Sequence, residues 1–224
     1  MVVKTDQQDV QALRDTILSG DLAVDGRLLP ERALAEKLSI SRNRLRHVLE
    51  DLVREGLVFR RHGQGTFLQP PPAQAQERLG ALARRVSAHD LMEVRLELEP
   101  ALAARAAQRG SAADKALLLR LMEDTLRAAD LAAYERADDI FHYKIAEMAD
   151  NPVFLSLFEE IRSLRQASEW TDARENALGE EEISEVSLQH SAIANAICAG
   201  SANAAREAMR RHMLRVGKVL AENG

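Results

Sequence analysis

The chain has a single cysteine, Cys198, in 224 residues. No intrachain disulfide can form, so the fold must rest on packing, and a reducing cytoplasm is the expected setting. Aromatic residues are only 4% of the sequence, with one tryptophan. Strand-favouring aromatics are thus scarce while Ala, Leu, Glu and Arg are abundant, which tilts the expectation toward helix. No apolar run approaches the roughly 20 residues that span a bilayer, so no membrane partner is expected. The opening residues, MVVKTDQQDV, lack the apolar stretch of a secretory signal. No internal repeat is visible. At 46% hydrophobic and 29% charged the composition is that of an ordinary globular chain and excludes a disordered one, and the length suits one or two domains.

The net charge of -5 conceals an asymmetry. Residues 1–70 sum to +1 and the remainder to -6, whereas residues 32–61 carry eight basic and four acidic side chains. An acidic bulk does not prevent binding to a polyanion, because screening over roughly 8 Å leaves only the nearest face to act.

That basic stretch has a legible order. Val10, Leu13, Ile17 and Leu18 set a first helix over 7–19 by their spacing. Gly20 and Gly26 bracket a short polar connection, and Pro30 suits the first turn of a second helix running to about Leu38. Ser39-Ile40-Ser41 forms a turn in which Ser41 is a natural N-cap. A third helix over 42–55 buries Leu45, Val48, Leu49 and Leu52 and stops at Gly56. Two β-prone runs, Leu57-Val58-Phe59 and Thr66-Phe67-Leu68, flank the tip Arg60-Arg61-His62-Gly63-Gln64-Gly65. This hairpin is either a plain surface turn or, beside two helices joined by a tight turn, the wing of a winged helix-turn-helix; the basic tip favours the wing.

Gln69-Pro70-Pro71-Pro72-Ala73 is a stiff linker. We place a DNA-binding domain at 1–69, the linker at 70–74 and a second domain at 75–224. The second domain shows only helical patterns: about 75–85, 88–108 with Pro100 inside as a kink, 112–128, 131–149, 152–168 opened by Asn151-Pro152, 181–199 and 202–222. The fold class expected is mainly α: a winged helix-turn-helix with a small β-hairpin wing, then an all-α antiparallel helical bundle.

A recognition helix reads base edges from its first turn. Arg42, Asn43, Arg44 and Arg46 lie there, and Arg42, Asn43 and Arg46 face away from the buried leucine stripe. Arginine matches the paired acceptors of guanine, and asparagine suits adenine or phosphate. Arg32 at the start of the preceding helix can reach the same groove edge. The stretch resembles the GntR family of bacterial transcription regulators on Leu29-Pro30-Glu31-Arg32-Ala33-Leu34-Ala35, Ile40-Ser41-Arg42-Asn43-Arg44-Leu45-Arg46, Glu55-Gly56-Leu57-Val58 and Gly63-Gln64-Gly65. The resemblance implies base or phosphate contacts by Arg32, Arg42 and Arg46, with Ser41 beside them, and a wing tip at His62-Gly63 entering the minor groove. The chain departs from the family pattern in being one residue short before Arg32 and in carrying Asn43, Arg44 and His47, which implies an altered operator.

In the helical domain three inward stripes are interrupted by polar groups. Asp138 and His142 are one turn apart on the face of Tyr134, Phe141 and Ile145. His190 interrupts Ile183, Val186, Ile193 and Ile197. His212 interrupts Ala205, Met209, Val216 and Val219. Burying such groups singly is costly, and convergence on one divalent metal removes the cost. Three imidazoles and a carboxylate suit Zn first, with Ni, Mn or Fe as alternatives. His89, the remaining histidine of this domain, falls outside these stripes.

Residues 75–220 are similar to the FCD ligand-binding domain of the FadR-type subgroup. The resemblance rests on Val94-Arg95-Leu96-Glu97-Leu98-Glu99-Pro100, Asp138-x-x-Phe141-His142, Asn151-Pro152, Gln189-His190-Ser191-Ala192-Ile193 and Met209-Arg210-Arg211-His212-Met213. It implies a divalent metal on Asp138, His142, His190 and His212, and an effector carboxylate held by Arg95. Arg95 lies on the stripe Leu91, Arg95, Leu98, Leu102; its alternative is a salt bridge to a neighbouring helix at Glu147 or Glu159. Arg162, Arg165 and Trp170 are further candidates to line that cavity.

Three functions compete. The first is a ligand-responsive transcription repressor, a cytoplasmic homodimer on palindromic double-stranded DNA whose operator binding responds to a small carboxylate. The second is a metalloenzyme with open metal positions, disfavoured by 70 residues spent on a DNA reader and by the lack of a further general base in the core stripes. The third is a constitutive DNA binder with a structural metal.

Overall fold

The computed structural model describes residues 3–24, 26–61, 64–70, 76–167 and 180–223. The chain divides into two compact units, 1–71 and 72–224.

In the first unit α1 (Val3–Leu18) precedes a two-stranded ribbon, β1 (Ala23–Val24) and β2 (Arg27–Leu28). Then come α2 (Glu31–Lys37), α3 (Arg42–Arg54), β3 (Phe59–Arg61) and β4 (Gly65–Phe67). The strands form one antiparallel sheet in the order β1-β2-β4-β3. The segment between Gly20 and Gly26, read as a bare polar connection, therefore contributes a strand, and the sheet has four strands rather than two. Pro30, expected inside the first turn of α2, is its N-cap residue, with ψ 141°.

The first wing strand, β3, begins two residues later than its hydrophobic run suggests. The Leu57 N–H returns to the Leu52 carbonyl at 3.0 Å and that of Gly56 to Val53 at 3.0 Å, so the first of the β-prone residues is spent closing α3. Gly56, at φ +75°, makes that closure. The same closure ends α2, where Ile40 N–H meets Ala35 O at 3.0 Å, but here Ser39 takes φ +54° without being glycine. The apolar sides of all three helices meet in one core, with Ile17, Leu34, Leu45, Leu49 and Leu52 fully buried. An Arg14–Glu55 ion pair ties α1 to the end of α3.

The second unit holds α4 (Gln76–Ala83), α5 (Ala88–Arg109), α6 (Ala112–Arg127), α7 (Leu131–Met148), α8 (Pro152–Ala167), α9 (Glu180–Cys198) and α10 (Ala202–Asn223). Ser87 with Asp90 and Ser111 with Asp114 form capping boxes that start α5 and α6. Asn151 Oδ1 accepts from the Val153 and Phe154 N–H groups at 3.0 and 3.2 Å to start α8. α5 passes through Pro100 as one helix. It packs on α10 and α7, while α9 packs on α10 and α6. The stripes of α5, α7, α9 and α10 therefore face a common interior.

Candidate metal centre and DNA-reading face

Asp138 and His142 of α7, His190 of α9 and His212 of α10 are all buried, and one ligand atom from each lies within 4.8 Å of the others. Helical spacing puts the first two on one face, and the α9–α10 packing brings the other two alongside. His190 Nε2 is 3.3 Å from both His212 Nε2 and Asp138 Oδ1. His142 Nε2 lies 3.5 Å from the same Oδ1 and, though buried, has no hydrogen-bond partner among the described residues.

The outer nitrogens fix the tautomers. His142 Nδ1 donates to Glu99 Oε2 at 2.5 Å and His212 Nδ1 to Gln189 Oε1 at 3.1 Å. Thr125 Oγ1 gives its proton to the Met122 carbonyl at 2.7 Å and so accepts from His190 Nδ1 at 3.1 Å. With each Nδ1 protonated, each neutral ring turns the lone pair of Nε2 inward. Two facing lone pairs at 3.3 Å, and a third beside a carboxylate oxygen, repel one another unless a cation sits among them. The donor set therefore fits a divalent metal, and the Nδ1 partners supply the outer hydrogen bonds that metal-bound imidazoles need.

Charge around the cluster is divided. Burial pushes His212 well below the usual histidine range, with His190 and His142 adding to the effect, which favours the neutral ring that a metal requires. Burial also opposes charge on His142, but Glu99 and Asp138 outweigh it and raise this ring. A proton thus competes for His142 Nε2 when no cation is bound. Burial alone would raise Glu99, yet Arg95 and His142 hold it well below the usual carboxylate range.

Arg95 is 2% exposed, and its Nε donates to Glu99 Oε1 at 2.5 Å. Its ion partner is thus on its own helix, one turn away, rather than Glu147 or Glu159. Glu147 is exposed and binds Lys144 at 2.7 Å, while Glu159 accepts from Tyr143 at 3.2 Å. The inward stripe runs Leu91, Arg95, Glu99, Leu102, and Leu98 is only half-buried. The sequence does carry a signal for Glu99: it stands i+4 from Arg95, one helical turn away, within reach of a buried guanidinium. Arg162 is held by Asp139, with Nε 2.9 and 2.7 Å from its two oxygens. Arg165 Nη2 approaches Asp138 Oδ2 to 3.9 Å. Trp170 lies outside the described residues.

On the other unit, Ser41 caps α3 by accepting from the Arg44 N–H at 3.2 Å. Arg42, Asn43 and Arg46 are exposed on the first turns of α3, and Arg44 is half-buried. Arg32 is exposed and lies along Glu36 at 3.1 Å. The exposed His47 donates from Nδ1 to the Asn43 carbonyl at 2.7 Å. Glu31 bridges two arginines, Arg46 of the recognition helix at 3.4 Å and Arg60 of the wing strand at 3.1 Å. Neither Glu31 nor this use of Arg60 follows from the sequence pattern, because the two are 29 residues apart and meet only through the sheet. His62 and Gly63, the expected wing tip, lie outside the described residues.

The model of the family described as bacterial regulatory proteins, gntR family, matches residues 5–68, and that of the FCD domain matches residues 90–215. The chain is 32% identical over 208 residues to the "Putative L-lactate dehydrogenase operon regulatory protein" of Escherichia coli K12, covering 90% of this chain and 80% of that protein. It is 31% identical over 214 residues to "HTH-type transcriptional regulator LutR" of Bacillus subtilis, covering 91% and 95%. Among solved structures, "E. coli McbR/YncC" aligns over 99% of both chains with a TM-score of 0.54 at 20% identity, a likeness of fold alone. The two sequence relatives are named as an operon regulatory protein and a transcriptional regulator, which sets the metalloenzyme reading aside. Among the described residues, no helix is long and apolar enough to cross a membrane.

Proposed function

The chain belongs to the GntR family of bacterial regulatory proteins and carries an FCD domain, and on that premise we propose a repressor whose helical domain senses a small carboxylate through a divalent metal. Residues 1–69 read DNA, 70–74 link, and 75–224 bind metal and effector. The observation that carries the sensing role is the inward convergence of three imidazole lone pairs and the Asp138 carboxylate in a fully buried cluster. Asp138, His142, His190 and His212 hold the ion, with zinc first and nickel, manganese or iron as alternatives. When bound, the ion supplies a Lewis-acidic centre that attracts an anionic oxygen. Arg95, buried beside the cluster, gives a carboxylate its second point of attachment. One relative is named for an L-lactate dehydrogenase operon, so L-lactate heads the candidate effectors.

On the DNA side Arg42, Asn43, Arg44 and Arg46 enter the major groove, Ser41 and Arg32 fix the register on the backbone, and His62-Gly63 enters the minor groove. A cytoplasmic homodimer presents two such faces to a palindromic operator. Different affinities of the effector for the two states of the dimer then change DNA binding. The test is a mobility-shift assay of the zinc-loaded chain on the DNA preceding its own gene, with and without L-lactate and other small carboxylates. A retarded band that one carboxylate releases is expected. A band indifferent to every carboxylate would overturn the sensing role, and no band at all would overturn the choice of operator.

A further inference from the structure

Arg95, Glu99 and His142 form an unbroken polar chain from α5 to α7. Arg95 Nε reaches one oxygen of Glu99 and His142 Nδ1 the other, each at 2.5 Å. All three side chains are at most 3% exposed. We infer that Glu99 is a positioning residue of the metal centre, fixing the ring of His142 with one oxygen while Arg95 anchors the other; this rests on the metal reading above.

The argument is a count of donors and acceptors. Glu99 faces two donors, a guanidinium N–H and an imidazole N–H. An ionised carboxylate accepts from both, whereas an amide offers one acceptor and turns donors against whichever partner it misses. With a guanidinium N–H on one oxygen and an imidazole N–H on the other, Glu99 accepts at both positions as a carboxylate does. An ionised Glu99 holds the proton of His142 on Nδ1 and so leaves Nε2 turned toward Asp138 and the other ligands. His190 and His212 lean on Thr125 and Gln189, which are neutral. Of these three Nδ1 partners, that of His142 is the charged one, and a charge-assisted bond is roughly twice as strong as a neutral one. Of the three outer partners, Glu99 therefore has the largest influence on the ligand it orients.

Metal-stripped full-length chain, titrated with zinc against a chromophoric chelator, tests the assignment. Glu99→Gln should bind zinc about 10–100-fold more weakly, the usual effect of losing an outer-sphere partner, and cobalt(II) should give a shifted visible spectrum. Because Gln removes the carboxylate charge opposite the Arg95 guanidinium, Glu99→Gln with Arg95→Met is the companion variant. It removes both charges of the pair and should show the same loss with a metal-free melting temperature near that of the parent. Affinity within twofold of the parent in either folded variant, with an unshifted cobalt spectrum, would overturn the role of Glu99. If the parent itself takes up no metal, the metal reading fails first; if the parent binds and the variants bind equally, only the Glu99 assignment fails.

Discussion

In the N-terminal unit the chemistry-bearing side chains stand in water: Arg32 and Arg46 keep 75% and 57% of their side-chain surface exposed, and their carboxylate partners are themselves accessible. In the helical unit Arg95, Glu99, Asp138, His142, His190 and His212 all lie at or below 2% exposure, and each touches another charged or polar group. The exposed pairs contribute about 0–1 kcal/mol each, so they can part when a stronger anion arrives. The buried groups cannot part without leaving a desolvated charge or an unsatisfied polar group, which costs more. One unit is thus arranged to exchange partners and the other to keep them, as the proposed reading and sensing roles require.

The contrast can be broken most forcefully at the cluster. Replacing His190 and His212 together by Ala should abolish stoichiometric metal in purified protein, measured by elemental analysis; full retention would remove the centre. Chelation of the parent should lower its melting temperature, because an ion at 100 times its dissociation constant adds about 2.7 kcal/mol. The metal should also be released on acidification, since the imidazoles must be unprotonated to bind.

A smaller effect separates reading from folding within the first unit. Arg42→Ala should weaken operator binding by about 1–3 kcal/mol and leave the melting temperature almost unmoved, since Arg42 is exposed. Ser41→Ala should do the reverse in part: it removes the cap on the Arg44 N–H and should cost about 1 kcal/mol of stability. Equal losses of stability in the two variants would erase the distinction between contact and scaffold.

The smallest effect concerns a half-exposed ion pair in the helical unit. Asp114 loses solvation by partial burial, but hydrogen bonds from Lys144 and Ser111 outweigh this and place it below its ordinary 3.8. A lowered carboxylate stabilises the fold fully above its ordinary value and loses that contribution as pH falls through the folded one. The Lys144→Met variant should therefore lose less stability than the parent as pH falls below about 4, giving a flatter acid limb in urea unfolding; a limb as steep as the parent's would remove the contribution of Lys144.

Stripes with a polar interruption were the most readable feature of the chain. His142, His190 and His212 each sit where only an apolar residue is otherwise at home, and the buried cluster joins them. Glu99 was less readable, because beside Pro100 the inward position can fall on 98 or 99, and a glutamate in a helix is by default assigned to solvent. The strands β1 and β2 were unreadable for a different reason: two residues carry no alternation. The start of β3 shifted because Leu57 serves the end of α3, a backbone role that its side chain does not advertise.

The Glu31 bridge between Arg46 and Arg60 also bears on how DNA binding responds to salt. An arginine that meets a phosphate usually contributes by displacing condensed cations from the duplex, which lowers log K with log salt by about 0.9 per neutralised phosphate. Arg46 and Arg60 already share a carboxylate. If both turn to phosphates, Glu31 is left to recruit a cation of its own, and one of the ions set free is taken up again. The winged face should therefore be less sensitive to ionic strength than its number of arginines suggests, and removing the Glu31 carboxylate should restore the missing part of the slope.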